Sequence, residues 1–390
     1  MVRQDDMISV LHIIDTGGPG GAETVFLQTA TSLDPARFRS AVVVGGHGWL
    51  AEQIERRAAA PFVVPAQGSF NVRYLSQLIG IAREVEAQVI VAHLYGSAVY
   101  AGLLGKMLSI PVVSILHGQT DVPQRERLAR LKAALVRSSS RRVVFVSERL
   151  RDHLQPLLRI APSRAIVIPN GVDTKTFQPS RDITLRAELG LSDQTLLIGA
   201  IGNVRVPKAY DVLLRATRAL LDRSANYHVA IAGDNTNPLA AELFDLARQL
   251  GIEQHVTFLG LRADVSRILN NLDAFVLTSR TEGFSIACIE AMACGVPVVA
   301  TRSGGPEEIL VDGAGILVPV DDPQAIANAL ERVTTSKDLG ASLAAKGLAR
   351  VHERYSLSKM LTRYEALLEG VARESRRGRS VAQTPGPTSP

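Results

Sequence analysis

Along the first 170 residues, short apolar runs alternate with longer stretches in which apolar and polar residues mix. The runs are ISVLHII from Ile8, SAVVV from Ser40, QVIVA from Gln88, PVVSIL from Pro111, RVVFV from Arg142 and AIVI from Ala165. Runs that are apolar at nearly every position, rather than every second one, belong to strands buried on both faces, with helices between them. This pattern predicts a parallel, doubly wound sheet. After PNGVDTKTFQPSRD, a polar stretch broken by Pro and Gly, the pattern restarts with TLLIGAIG from Thr195, HVAIAG from His228, HVTFLG from His255, DAFVLTS from Asp273, VPVVA from Val296 and GILVP from Gly315. A second sheet of the same class is expected. The reading is therefore an α/β chain of two Rossmann-like domains, residues 1–175 and 190–355, with a linker near residues 173–193. A helix over 356–370 is expected to pack back toward the first domain. Residues 371–390 lose apolar periodicity and gain Pro, Ser and Arg, which predicts a disordered tail. Open α/β sheets take ligands beyond the carboxyl ends of their strands, so a site in a cleft between the two domains is expected.

Composition agrees with two cores: the chain has 390 residues at 46% hydrophobic content, more than a single core accommodates. The opening MVRQDDMISVLHIID carries two acids ahead of its apolar run, which reads as a first strand rather than a secretory leader. The most apolar region, Leu94 to Leu116, is interrupted by Lys106 and Pro111, so no membrane span is predicted. The only two cysteines, Cys288 and Cys294, fall on different sides of one predicted helix. Neither a disulfide nor a metal site is expected, and a reducing cytoplasm fits. The net charge is +5, and residues 121–142 hold seven Lys or Arg against two acids, a local excess of the same size. That stretch is either a solvated helix face or a surface for an anionic membrane or acidic acceptor. The latter would place the protein peripherally on the inner face of the plasma membrane. No nucleic-acid partner is expected.

The candidate chemistry centres on TEGFSIACIE, residues 281–290, at the carboxyl end of a predicted second-domain strand. A helix beginning there would aim the backbone N–H groups of Phe284, Ser285 and Ile286 at an anion, with Gly283 letting a ligand approach the backbone. A phosphate is the natural occupant. Carboxylates beside a phosphate are tolerable if they accept hydrogen bonds from neutral hydroxyls on either side of it. A ligand of sugar, diphosphate, ribose and base meets that condition, with Glu282 on the sugar and Glu290 on the ribose. The bland alternative is an ordinary N-terminal acid followed by a solvated one. The turn GNVRVPKAYDVLLRA adds Arg205 and Lys208 at another strand end, two cations suited to a diphosphate or, alternatively, surface charges flanking a helix.

In the first domain, GGPGGAE follows the first strand, but its spacing lacks the third glycine of the dinucleotide fingerprint. Gly20 and Gly21 either permit close approach of donor phosphate and acceptor or form a plain turn. His93 and Tyr95, in VAHLYGS at a further strand end, are candidate acceptor contacts, with a hydrogen-bonded structural histidine the other reading of His93.

Taken together, the Glu282/Glu290 pair, the Arg205/Lys208 turn, AGD at Ala232 to Asp234 and EAMACGVPVVAT resemble the family 4 retaining glycosyltransferases of GT-B fold. GGPGGAE, SILHG, FVSERL and IPNGVD recur in that family's order, and the resemblance extends over residues 8–370. It implies a nucleotide-diphospho-sugar donor on the second domain, with UDP-sugar the commonest choice, and a saccharide or lipid-linked acceptor on the first. It further implies Glu282 at the donor sugar, Glu290 at the ribose, Arg205 and Lys208 at the departing diphosphate, and His117 on a sugar hydroxyl across the cleft. Asn203, Asp234 and Leu261 would line the donor. Many relatives carry an Arg where Asn203 stands, and Arg205 is taken to substitute for it. No metal and no separate cofactor is implied, and the chain contains no Asp-x-Asp. The implied activity is sugar transfer with retention, in bacterial cell-surface polysaccharide or glycolipid assembly. The alternatives are a GT-B epimerase or hydrolase of the same donor, and a non-catalytic nucleotide-sugar-binding regulator.

Overall fold

In the computed structural model of the chain, the structure describes residues 7–57, 60–65, 71–119, 122, 128–180, 182, 184–224 and 226–382. The MVRQDD segment read as preceding a strand, and Asp121, Arg125, Glu126 and Arg127 of the basic stretch, lie outside the described residues, as do residues 383–390. The chain forms two compact units, one from the residues up to Pro169 together with those from Met360 onward, the other Asn170–Lys359.

Among the described residues the first unit holds seven strands: β1 Ile8–Ile13, β2 Phe38–Val44, β3 Phe62–Val63, β4 Val89–His93, β5 Val112–Leu116, β6 Ser140–Phe145 and β7 Ala165–Val167. They form one sheet ordered β3-β2-β1-β4-β5-β6-β7, every pairing parallel. The second unit holds β8 Leu196–Ile201, β9 Tyr227–Ala232, β10 Val256–Gly260, β11 Ala274–Leu277, β12 Val298–Thr301 and β13 Ile316–Val318, ordered β10-β9-β8-β11-β12-β13 and again all parallel. Each apolar run read from the sequence is a strand. Those at the sheet centres, β1, β4, β5, β9, β11 and β12, are buried along their whole length, as expected where helices cover both faces. β3 lacked a signal because it is two half-buried residues at a sheet edge.

Both sheets are doubly wound from an interior strand. The chain leaves β1 for β2 on one side and returns with β4 on the other, and β8 is flanked in the same way by β9 and β11. Between such strand pairs the two connecting loops diverge and leave a crevice at the carboxyl edge.

The expected boundary of the C-terminal tail at residue 371 is corrected. A helix runs from Leu357 to Ala382, because Val371 and Ala372 prolong the buried stripe of Met360, Tyr364 and Leu368 at helical spacing. Glu374, a few positions further on, pairs with Arg141 and Arg142 at 2.6 and 2.7 Å. Earlier on the helix, Glu365 receives Arg37 at 2.9 Å and the backbone N–H of Asp34 at 3.0 Å, while Glu369 also pairs with Arg37. Pro and Ser, which suggested disorder, are concentrated beyond Ala382.

Candidate functional site

The crevice between β8 and β11 is built from three loops. After β8 the chain turns at Gly202 (φ +151°), passes through a short 3₁₀ turn, Val206–Lys208, and enters the helix Tyr210–Leu221 through Ala209 (φ +51°). A side chain at Gly202 would be strained by its φ of +151° and would crowd Lys208, a Cβ there lying 2.9 Å from its Cε; the Tyr210 hydroxyl donates to the Gly202 carbonyl at 2.7 Å. The neighbouring AGD turn nests against this loop. Gly233 (φ +152°) approaches so closely that a Cβ would fall 2.1 Å from the Gly202 carbonyl oxygen. The Asp234 N–H donates to Asn203 Oδ1 at 3.0 Å, and the Val204 N–H donates to the Asp234 carbonyl at 2.8 Å. Asn203 and Asp234 are thus brought together.

The loop after β11 carries TEGFSIACIE. Glu282 is not on the helix but in the loop ahead of it, where its N–H donates to the Ser303 carbonyl at 2.7 Å and its carbonyl accepts from Gly305 N–H at 3.1 Å. Gly305 permits this pairing, since a Cβ there would sit 2.7 Å from Phe284 Cα. The helix proper is Ile286–Ala293, capped by Ser285, whose hydroxyl accepts from Cys288 N–H at 3.3 Å. Among the described residues no acceptor meets the backbone N–H groups of Phe284, Ser285 or Ile286, so the helix start is open to an anion. Phe284 anchors the loop from below, edge-on to Tyr355 with ring centroids 5.6 Å apart.

Three side chains converge in front of that helix start. Lys208 Nζ donates to Glu282 Oε1 at 2.7 Å, and the Ser279 hydroxyl donates to the same oxygen at 2.6 Å. A cation from the β8 loop and a carboxylate from the β11 loop therefore meet across the crevice. Ser279 was missed, because a lone serine at a strand end carries no spacing signal. Arg205 is exposed and is not part of this constellation. Its charge acts on Asp234, whose carboxylate is held below its ordinary range first by the Thr236 hydroxyl and N–H and to a lesser degree by Arg205. Leu261, expected along the donor, stands on the rim after β10 with about half its surface exposed.

Glu290 lies on the second turn of the helix. Burial pushes its pKa up to about 7, and among the described residues no group hydrogen-bonds its carboxyl. A carboxylate taken out of water without donors is costly, and a ligand bringing hydroxyls would relieve that cost. Cys288 and Cys294 are both free and buried, and burial raises their thiol pKa values to about 12.

In the first unit, Gly20 caps the helix Gly21–Thr31 and leaves room for the Glu23 side chain to fold back, where a Cβ would meet Glu23 Oε2 at 2.3 Å. The Thr16 hydroxyl donates to the other Glu23 oxygen at 2.8 Å. His93, at the end of β4, stacks on His117, with centroids 5.1 Å apart. His93 Nδ1 lies 3.1 Å from His117 Nε2, and His93 Nε2 lies 3.3 Å from the Thr29 hydroxyl. Burial holds both imidazoles neutral, His117 with a pKa lowered to about 3. The expectation of acceptor contacts at His93 and Tyr95 is corrected: they are 0% and 3% exposed and offer no surface to a ligand. His93 instead backs His117, which is partly exposed. Sequence reasoning also passed over Asp15, just past β1, whose carboxyl is raised in pKa mainly by burial.

Among the described residues no three His, Cys, Asp or Glu side chains cluster as metal ligands, and no helix is long and apolar enough to cross a membrane.

Two family models match this chain: Glycosyl transferases group 1 over residues 182–350 and Glycosyltransferase Family 4 over residues 19–176. The D-inositol 3-phosphate glycosyltransferase of Stackebrandtia nassauensis is 30% identical over 372 residues, covering 85% of this chain and 83% of that relative. The lipopolysaccharide core biosynthesis mannosyltransferase LpsB of Rhizobium meliloti is 32% identical over 214 residues, 53% of this chain and 61% of its own. Among solved structures, HepE of Anabaena in complex with UDP and glucose has a TM-score of 0.83 at 23% identity, over 93% of this chain and 100% of that one. WaaG, a glycosyltransferase involved in lipopolysaccharide biosynthesis, has a TM-score of 0.73 at 18% identity, over 93% and 100%.

Proposed function

The chain belongs to the family 4, group 1 glycosyltransferases of GT-B fold, and from that premise we propose that it is a retaining, metal-independent enzyme. In this reading it moves a sugar from a nucleotide-diphospho-sugar to a hydroxyl of a saccharide or lipid-linked acceptor in bacterial cell-surface polysaccharide or glycolipid assembly. The observation that carries the reading is the meeting of Lys208, Glu282 and Ser279 in front of an unsatisfied helix N-terminus.

The diphosphate lies against the N–H groups of Phe284, Ser285 and Ile286, with Lys208 beside it and Arg205 at the outer edge. As the bond from sugar to phosphate breaks, negative charge gathers on the bridging oxygen, and these fixed positive groups stabilise it without reorganising. They supply electrostatically what a metal ion supplies in other transferases, which together with the lack of an Asp-x-Asp supports metal independence. Glu282 accepts hydrogen bonds from the donor sugar, which displaces part of its pairing to Lys208 and releases that cation to the leaving group. Glu290 accepts from the ribose. His117 is a neutral hydrogen-bonding group for a sugar hydroxyl. Uridine is the favoured base, since HepE of the same fold has been solved with UDP and with UDP-glucose. Retention is carried over from the family, with the acceptor hydroxyl attacking on the face that the diphosphate leaves.

The test is product formation from UDP-, GDP-, ADP- and dTDP-sugars with a panel of saccharide, polyol and lipid-linked acceptors, in the presence of EDTA. Glu282→Ala is expected to lower turnover by about 10²-fold, the loss of a hydrogen bond that strengthens in the transition state, and proton NMR is expected to show the donor's anomeric configuration in the product. Near-normal turnover in the variant, an inverted product, or arrest by EDTA would each contradict the corresponding part of the proposal.

A further inference from the structure

We propose that Arg280 is a positioning residue that sets the Arg205–Lys208 turn against the Glu282 loop. The inference rests on the diphosphate site proposed above and assigns a role to a side chain outside it.

The turn that presents Lys208 begins at a left-handed glycine and ends at a left-handed alanine, Gly202 and Ala209. Within it only two backbone bonds close, from Lys208 N–H to the Arg205 carbonyl at 2.9 Å and from Ala209 N–H to the Val206 carbonyl at 3.2 Å. The chain leaving β11 braces it from outside. Three consecutive carbonyls of the turn are each engaged by that segment: Val206 accepts from Arg280 Nη1 at 3.4 Å, Pro207 accepts from the Arg280 N–H at 2.7 Å, and Lys208 accepts from the Thr278 hydroxyl at 2.9 Å. The same segment carries Ser279 and, two residues after Arg280, Glu282. The strap that grips the turn is thus continuous with the loop that carries the sugar carboxylate.

Arg280 extends the grip to two further elements. Its Nη1 and Nη2 fork onto Asp211, on the first turn of the helix that follows the turn, at 3.3 and 3.0 Å, and its Nε donates to Asp321, beyond β13, at 2.7 Å. A planar guanidinium serves a forked acid, a second acid and a carbonyl at once, whereas an ammonium would serve one or two of them. All three charged groups are partly exposed, a setting in which ion pairs contribute little to stability. An arrangement this specific at a partly exposed position is explained better by the placement of Lys208 than by folding energy.

The experiment is a double-mutant cycle read by calorimetric binding of free UDP, GDP and ADP, with thermal denaturation of every variant alongside. Arg280→Ala is expected to weaken binding of the preferred diphosphate by about five- to tenfold with little change in Tm, and Arg280→Lys to fall between it and wild type. Because Arg280 acts through Lys208, the double variant with Lys208→Ala should bind no more weakly than Lys208→Ala alone, a departure from additivity typical of coupled neighbours. Wild-type affinity in Arg280→Ala, a Tm loss without a binding loss, or fully additive effects would overturn the positioning role while leaving the diphosphate site intact. Failure of the wild type to bind any of the three, or wild-type affinity in Lys208→Ala, would instead overturn the diphosphate site and this inference with it.

Discussion

Glu290 is a carboxylic acid whose proton is in play near neutrality. Its pKa of about 7 in the free protein comes from burial alone, and hydroxyls donating to it favour the ionised form. Donor affinity should therefore rise with pH, by about tenfold between pH 6 and pH 8, as the fraction already ionised approaches one. Binding below pH 7 should release protons. A nucleotide-sugar is the right titrant, because its diphosphate, esterified at both ends, does not titrate in this window. Glu290→Gln should flatten the profile, and an unchanged pH dependence in that variant would remove the residue from the site. The sign for folding is the reverse: the folded state holds this proton more tightly than the unfolded chain, so the residue's contribution to stability declines as pH rises through the window up to about 7. At this scale the sequence is informative about which charged residues reach the carboxyl edge, as for Glu282 and Lys208, whose side chains meet there. It was uninformative where a role depends on depth. His93 and Tyr95 end a strand and begin a helix like other ligand residues, and only their burial distinguishes a support from a contact.

Elements follow from continuous apolar runs wherever a strand lies inside a sheet, and the failures fall at the edges. β3 is too short to show a period. The final helix carries little sequence signal beyond residue 370, because its outer face is charged and its composition drifts toward the terminus, although Val371 and Ala372 still face inward. The length of this helix is testable. Val371→Asp would bury an unpaired charge at a position 1% exposed and should destabilise the protein by about 3 kcal/mol or more, seen as a lowered midpoint in urea denaturation. Glu374→Ala, which removes partly exposed pairs to Arg141 and Arg142, should cost about 1 kcal/mol or less. Equal, negligible effects from both would mean that the helix beyond residue 370 does not pack as described.

For the molecule as a whole, fold class was the most legible feature, because twelve of the thirteen strands among the described residues announce themselves by composition and both sheets obey one winding rule. Less legible was its relation to a membrane. The helix Ala129–Ser139 carries Arg130, Lys132 and Arg137, while Leu131, Leu128 and nearby Met107 are 56%, 47% and 61% exposed. Exposed apolar side chains interleaved with cations suit an anionic bilayer surface. On the proposal that the enzyme works peripherally at such a surface, Arg130→Glu/Lys132→Glu should reduce cosedimentation with vesicles containing phosphatidylglycerol and leave donor binding unchanged. Undiminished cosedimentation would return this face to the status of a solvated helix.

The central claim is that the carboxyl edge of the second sheet receives a nucleotide-diphospho-sugar between Lys208 and an open helix start. Calorimetric titration of UDP-, GDP-, ADP- and dTDP-sugars into wild type and into Arg205→Ala/Lys208→Ala tests it most directly. One donor should bind the wild type well above the others and lose at least about tenfold in affinity in the double variant, as expected when charge-assisted contacts of about 1.5 to 3 kcal/mol each are removed. Equal affinity in the two proteins, or no donor bound by the wild type, would contradict the account.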